Sequence, residues 1–228
     1  MLNGREERCV MIAIALSAVA PGFALLSYFY LRHELEAEPL GYVIRSFVAG
    51  AVLVFPIMFI QYAFEEEGVL TSPFWKAFVA TALLEEFFKW FMIYYTIYIH
   101  KVFDDYYDGI LYAVACSLGF ATLENFLYLW VYDSLEIAIW RAVLPVSGHA
   151  LFAVAMGFCL GRAKHSARER LWLFLAVAVA TLMHGVFDYI LLIEPTNKVP
   201  AVLYIVVLWM VALLLVRAAN QSNRRQFK

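Results

Sequence analysis

The sequence predicts an all-α polytopic membrane protein of about seven transmembrane helices, with its buried polar groups gathered in a four-helix core, spans three to six. Three observations carry this. Hydrophobic residues make up 64% of the 228 and charged residues only 16%, whereas a soluble domain carries about 25% charged. The apolar residues fall into windows of about 20, which at about 1.5 Å per residue span a hydrocarbon core about 30 Å thick. The windows are joined by short connections with no Ser- or Gly-rich linker and no internal repeat. Residues 1–228 therefore read as one domain, with the polar motifs between residues 74 and 193.

Taken in order, the first span is Cys9–Leu31, an uncharged run of 23 residues and too long for the core of a secretory signal. The second, Tyr42–Phe64, runs into Glu65-Glu66-Glu67, which reads as a solvated loop. The third, Phe74–Ile99, is apolar except at its ends and at three ionisable residues in its middle. Span four is Tyr107–Val131. Span five, Ile137–Leu160, contains Pro145 and Gly148, which predict a local break freeing backbone amides beside His149. Ala153, Gly157 and Gly161, at four-residue spacing, are expected where helices approach closely. Spans six and seven are Leu171–Ile193 and Ala201–Val216. Cys9, Cys116 and Cys159 lie in apolar segments without CxxC spacing and read as small packing residues. The 14 Tyr and 6 Trp suit membrane interfaces and helix contacts. A net charge of −2 gives no reason to expect nucleic acid as a partner; the lipid bilayer is the partner that composition implies.

Lysine and arginine orient the chain. Alternating ends of seven spans place Arg5, Arg8, Lys76, Arg141 and Lys198 on one side and the other eleven basic residues, Lys89 apart, on the opposite side. The positive-inside rule then predicts an external N-terminus and a cytoplasmic C-terminus.

The ionisable groups inside the spans carry the chemistry. Glu85, Glu86 and Lys89 occur within five residues of span three, and each costs at least about 2.5 kcal/mol at mid-membrane depth. Glu85 and Lys89, four apart, share a helix face and are expected to pair, leaving Glu86 without Lys89 as a partner. Span four adds Glu124 and Asn125, span five His149, and span six His184 with Asp188. At about 1.5 Å per residue, Glu85, Glu124, His149, His184 and Asp188 lie about 16, 10, 18, 14 and 8 Å from the outer ends of their spans. All fall at or outside the midpoints of their spans although the helices alternate in direction. A polar cavity open to the outside is the arrangement in which such groups tolerate lipid. His184 and Asp188, four apart, suit an imidazole held by a carboxylate. Asn125 can bridge helices. Ser147 lacks the spacing for a nucleophile beside His149, and HExxH is absent, so these residues suit activation of water. They include enough N and O ligands for zinc, and spacing alone does not separate a metal-free from a metal-dependent mechanism. A proton-coupled transporter would use the same groups as a relay, but the inverted repeat it favours is absent. A non-catalytic scaffold or sensor is the third alternative.

The motifs Glu85-Glu86-x-x-Lys89, Gly119-Phe120-Ala121-Thr122-Leu123-Glu124-Asn125, Pro145-Val146-Ser147-x-His149 and His184-Gly185-x-x-Asp188, in this order, resemble the PrsW membrane proteases. That family belongs to a superfamily with the CAAX prenyl endopeptidases and the APH-1 subunit of γ-secretase. The likeness extends to Pro21–Tyr30 and Val54–Tyr62. The resemblance implies a glutamate-dependent or metal-dependent peptidase of a bacterial cell membrane. Its expected substrate is a single-pass anti-sigma factor, cut first on the extracytoplasmic side and then by a site-2 protease, in a stress response. It implies catalytic roles for Glu85, Glu86 and His184. Likeness to the CAAX branch makes Glu85 the water-activating base and puts His184 with Asp188 in the oxyanion-binding place. Two positions depart from that branch: Glu124 stands where it has histidine, and Lys89 where it has arginine one residue further on. His149 is expected to supply the missing imidazole. The resemblance implies either no cofactor or a divalent metal, zinc included.

Overall fold

The computed structural model describes residues 4–35, 38–132 and 134–226, and among them the regular structure is helical throughout. Seven helices stand where seven apolar windows predict them: α1 Gly4–Tyr30, α2 Leu40–Glu66, α3 73–98, α4 Asp108–Tyr132, α5 135–164, α6 Glu169–Ile193 and α7 Val199–Gln226. In α2, α4, α6, α7 and residues Glu136–Lys164 of α5 the helix is long and apolar enough to cross a membrane. The acidic run 65–67 is exposed, with Glu65 reaching Lys76 at 3.3 Å.

α4 and α5 form the centre. About four-fifths of each apolar window is buried, 78% and 83%, whereas α2, α6 and α7 bury only about a third and present their other faces outward. Glycines permit the close approach. A Cβ on Gly157 would overlap the Gly109 carbonyl, one on Gly161 the Tyr106 carbonyl, and one on Gly50 the Cys116 carbonyl. Backbone thus touches backbone at α4–α5 and α2–α4, where dispersion and complementarity must supply the association that lipid does not. Cys116 and Cys159 are free and buried, as packing residues should be; the Cys9 side chain lies outside those described.

Two helices depart from α-geometry beside the polar motifs. In α3, π-helical turns at Lys76–Leu83 and Tyr94–Tyr98 flank the α-helical Leu84–Ile93. In α5, a π-helical segment at Ala142–Val146 precedes Ser147–Lys164. The expected break at Pro145 is therefore a widened turn. Proline has no N–H to donate, and a local change of hydrogen-bond register lets the helix continue past it.

α7 also runs ten residues beyond the predicted Val216. Its polar end docks on connecting loops: Asn220 Nδ2 donates to Arg32 O, Asn223 Oδ1 accepts from Tyr106 N, and Arg224 reaches Glu34. Hydropathy falls there while helix propensity and loop contacts persist.

Gly157→Leu should lower the unfolding free energy of the detergent-purified protein by about 1–3 kcal/mol or more, because the Gly109 backbone must move. Gly41→Ala, in α2 with nothing within 4 Å of the added Cβ, should not lower it. Equal thermal melts for both variants would contradict the backbone-contact account.

Candidate active site

Four helices contribute to one connected polar chain. The α-helical part of α3 turns Glu85, Glu86 and Lys89 inward; their exposures are 4%, 0% and 1%. Lys89 Nζ donates to Glu85 Oε2 at 3.2 Å and to Glu86 Oε1 at 2.9 Å. The expectation that Glu86 lacks Lys89 is thus wrong. At about 100° per residue, positions three and four back flank the same line on the helix, so one ammonium reaches both.

Lys89 Nζ also lies 3.1 Å from His149 Nδ1 on α5. An ammonium only donates, so Nδ1 accepts and the ring proton sits on Nε2, which faces Glu124 Oε2 on α4 at 3.3 Å. On the other side Glu86 Oε1 meets His184 Nδ1 on α6 at 2.9 Å, and His184 Nε2 meets Asp188 Oδ2 at 3.3 Å. A doubly protonated ring satisfies both carboxylates. The chain therefore reads Glu124, His149, Lys89, Glu86, His184, Asp188, with Glu85 branching from Lys89. Every ionisable residue singled out in spans three to six belongs to it.

Asn125 stands apart. Its amide donates to Ala18 O on α1 and its oxygen accepts from Arg141 Nε, so it bridges helices. Ser147 Oγ accepts from Trp209 Nε1, in keeping with its exclusion as a nucleophile.

The inner groups are enclosed by aromatic rings. Lys89 Nζ sits 4.3 Å from the Phe120 ring centre, and Phe152 stacks on His184 at 4.8 Å. His149 and His184 are 5% and 3% exposed, while the side chains of Glu124 and Asp188 retain 33% and 21%. The expected open cavity is therefore a closed core with a polar rim. Charged groups in a core this apolar are satisfied by one another.

Three further residues were not singled out from sequence. Gln61 Nε2 on α2 donates to Glu85 Oε1 at 3.2 Å and lines a pocket of about 310 Å³ between the ends of α2 and α3. Its signal was an amide within an apolar run. Arg141 lies 3.5 Å from Glu124 Oε1, and Phe152 braces His184; neither contact has a spacing signature, since both partners are distant in sequence.

The donor set suits a divalent cation. One ligand atom each from Glu85, Glu86, His149 and His184 lie within 4.8 Å of one another. Glu86 Oε2 is buried with no hydrogen-bond partner, an oxygen left over on one of these four residues. Two carboxylates with two imidazoles match the hardness of zinc. Lys89 draws on the same acceptors, so an ion would share them with the ammonium.

Comparison with known proteins agrees with this chemistry. Residues 38–216 match the family described as "PrsW family intramembrane metalloprotease". The chain is 49% identical over 217 residues to "Protease PrsW" of Geobacillus kaustophilus, covering 95% of this chain and 96% of that protein. It is 47% identical to "Protease PrsW" of Bacillus subtilis, covering 95% and 100%. The identity with that of Clostridioides difficile is 32%, covering 87% of each. No solved structure matches. Similar along nearly its whole length to proteins named as proteases, this multi-pass membrane chain belongs to the PrsW family of intramembrane metalloproteases.

Proposed function

We propose that this membrane protease makes the first, extracytoplasmic cut in a single-pass anti-sigma factor, leaving a remnant for a site-2 protease, and that it does so by glutamate-activated water. The observation that carries the chemistry is the convergence of Glu85, Glu86, Lys89, His149 and His184 from three helices into one buried cluster. The substrate class rests on the family resemblance.

The position of the cluster supports an external cut. Glu124 is eight residues from the end of α4 at Tyr132, and His184 nine from the end of α6 at Ile193, about 12 and 14 Å along their axes. Both ends belong to the side with few basic residues, the external side under the positive-inside rule. An external N-terminus and a cytoplasmic C-terminus complete that topology.

Within the cluster, the carboxylates divide by their remaining capacity. Gln61 and Lys89 occupy both oxygens of Glu85, whereas Glu86 Oε2 has none of its acceptor capacity used. Glu86 is therefore the base, in place of the Glu85 that the CAAX branch suggests. It takes a proton from water attacking the scissile carbonyl and returns it to the departing amine. His184, held between Glu86 and Asp188, and Lys89 are the N–H donors that can turn from a carboxylate to the carbonyl oxygen as it gains charge. His149 and Glu124 connect that core to the exposed rim. Glu85, Glu86, His149 and His184, the last after giving up its Nδ1 proton, would hold a divalent cation, which would polarise a carbonyl and lower the pKa of a bound water.

The purified protein should cleave a single-pass membrane substrate in proteoliposomes, on the side opposite its own C-terminus. Glu86→Gln should lower the rate by about 100-fold or more. Lys89 keeps Glu85 as partner, so the melting temperature should move little. An unimpaired rate in that variant removes Glu86 as the base. His149→Ala should abolish cleavage at unchanged abundance; near-normal cutting would refute its role. Chelator should silence the enzyme and zinc restore it, whereas full activity after stripping would exclude a metal mechanism.

A further inference from the structure

A second ionisable cluster lies at the opposite end of the bundle, where the connection 31–39 meets the start of α4. Asp105 and Asp108 cap α4 reciprocally. Asp105 Oδ1 accepts from Tyr107 N at 2.6 Å and Asp108 N at 2.9 Å; Asp108 Oδ2 accepts from Asp104 N at 2.8 Å and Asp105 N at 2.9 Å. This is a capping-box pattern, and it uses only one oxygen of each carboxylate. Asp105 Oδ2 lies 2.7 Å from His33 Nε2. Asp108 is fully buried, and its Oδ1 has no hydrogen-bond partner.

The Glu38 carboxyl approaches from the same connection, within hydrogen-bonding reach of Asp108, with its own Oε2 held by Tyr112 OH. Three carboxylates thus crowd together. Among the described residues no lysine or arginine nitrogen lies within 4 Å of any of them; His33 is the histidine that meets a carboxylate of the cluster, while His165 approaches the Asp105 backbone. Buried carboxylates facing each other need a cation or a shared proton between them.

We propose that His33, Glu38, Asp105 and Asp108 form a second divalent-cation site, for an ion of the manganese or zinc kind. Ligand atoms of His33, Asp105 and Asp108 all lie within 4.8 Å of one another, a spread that a small side-chain rotation brings within the reach of one ion. The unpartnered Asp108 oxygen is the ligand that helix capping leaves over. Carboxylates with one imidazole favour Mn²⁺ or Zn²⁺ over metals that prefer thiolates. The cage is rigid: the His33 ring stacks on Tyr107 at 5.0 Å, Tyr107 OH donates to Phe29 O, and Tyr30 OH donates to Glu38 O. The ion ties the connection between α1 and α2 to the first residue of α4. Asp108 and Glu124 are sixteen residues apart on that helix, about 24 Å, so this site is separate from the candidate active site.

The test reads ion binding and not proteolysis, so it is independent of the peptidase mechanism. Full-length Glu86→Gln protein, stripped with chelator in detergent, is titrated with Mn²⁺ followed by electron paramagnetic resonance, and with Zn²⁺ followed by elemental analysis. It should bind an ion that raises its unfolding temperature, in addition to any held by the remaining Glu85, His149 and His184. Adding His33→Gln or Asp108→Asn should weaken that binding about tenfold or more. His33→Gln leaves the reciprocal Asp105–Asp108 cap in place, so its loss of binding reads the site and not the fold. If neither ion binds, or binding survives both substitutions unchanged, the carboxylates share a proton and the proposal is overturned.

Discussion

The ammonium of Lys89 is the constraint on which the arrangement of the bundle rests. A lysine and two glutamates on one turn of a membrane helix carry a desolvation cost that no isolated helix can offset, at least about 2.5 kcal/mol for each group. Lys89 engages Glu85, Glu86 and His149, and the last belongs to another helix. Glu86 then recruits His184 from a third, and His149 recruits Glu124 from a fourth. Each contact satisfies a group that would otherwise be stranded in an apolar interior, so the polar network sets the relative rotation and depth of α3 to α6.

Packing makes that network reachable. Glycine contacts bring α4 against α2 and α5 at backbone distance, and α4 is almost entirely enclosed. The π-helical segments at Lys76–Leu83 and Ala142–Val146 immediately precede the turns that carry Glu85 and His149. A π-turn inserts an extra residue and rotates the side chains C-terminal to it, and such turns recur at functional sites. Phe120 and Phe152 fill the space beside Lys89 and His184, which lowers the local dielectric and strengthens each remaining polar contact.

α4 links two polar clusters of different character. At one end Asp108 belongs to a cap rich in carboxylates, with the His33 imidazole as its side-chain partner; toward the other, Glu124 is balanced by Arg141 and His149. The first is locked into loop backbone by four N–H donors, as suits a rigid joint. The second retains an exposed carboxylate rim.

Span positions were legible because hydrophobic length is a property of contiguous residues: the predicted windows overlap all seven helices, and the error at Val216 arose where polar residues continue a helix by docking on loops. The candidate site residues were legible for a related reason, since an ionisable group inside an apolar window stands out without any partner. Who pairs with whom was not. Lys89 serving both glutamates follows from helix geometry that a four-residue pairing rule misses, and Asn125 turning toward Ala18 depends on a neighbour more than a hundred residues away. Gln61, Arg141 and Phe152 enter through such distant contacts too. By itself the sequence determined the membrane class, the helices and the inventory of buried charge, because those depend on local composition and period. The tertiary structure alone decided the order of the hydrogen-bonded chain, the enclosure of its centre and the clustering of His33 with Asp105 and Asp108, because each requires helices or loops remote in sequence to meet at about 3 Å.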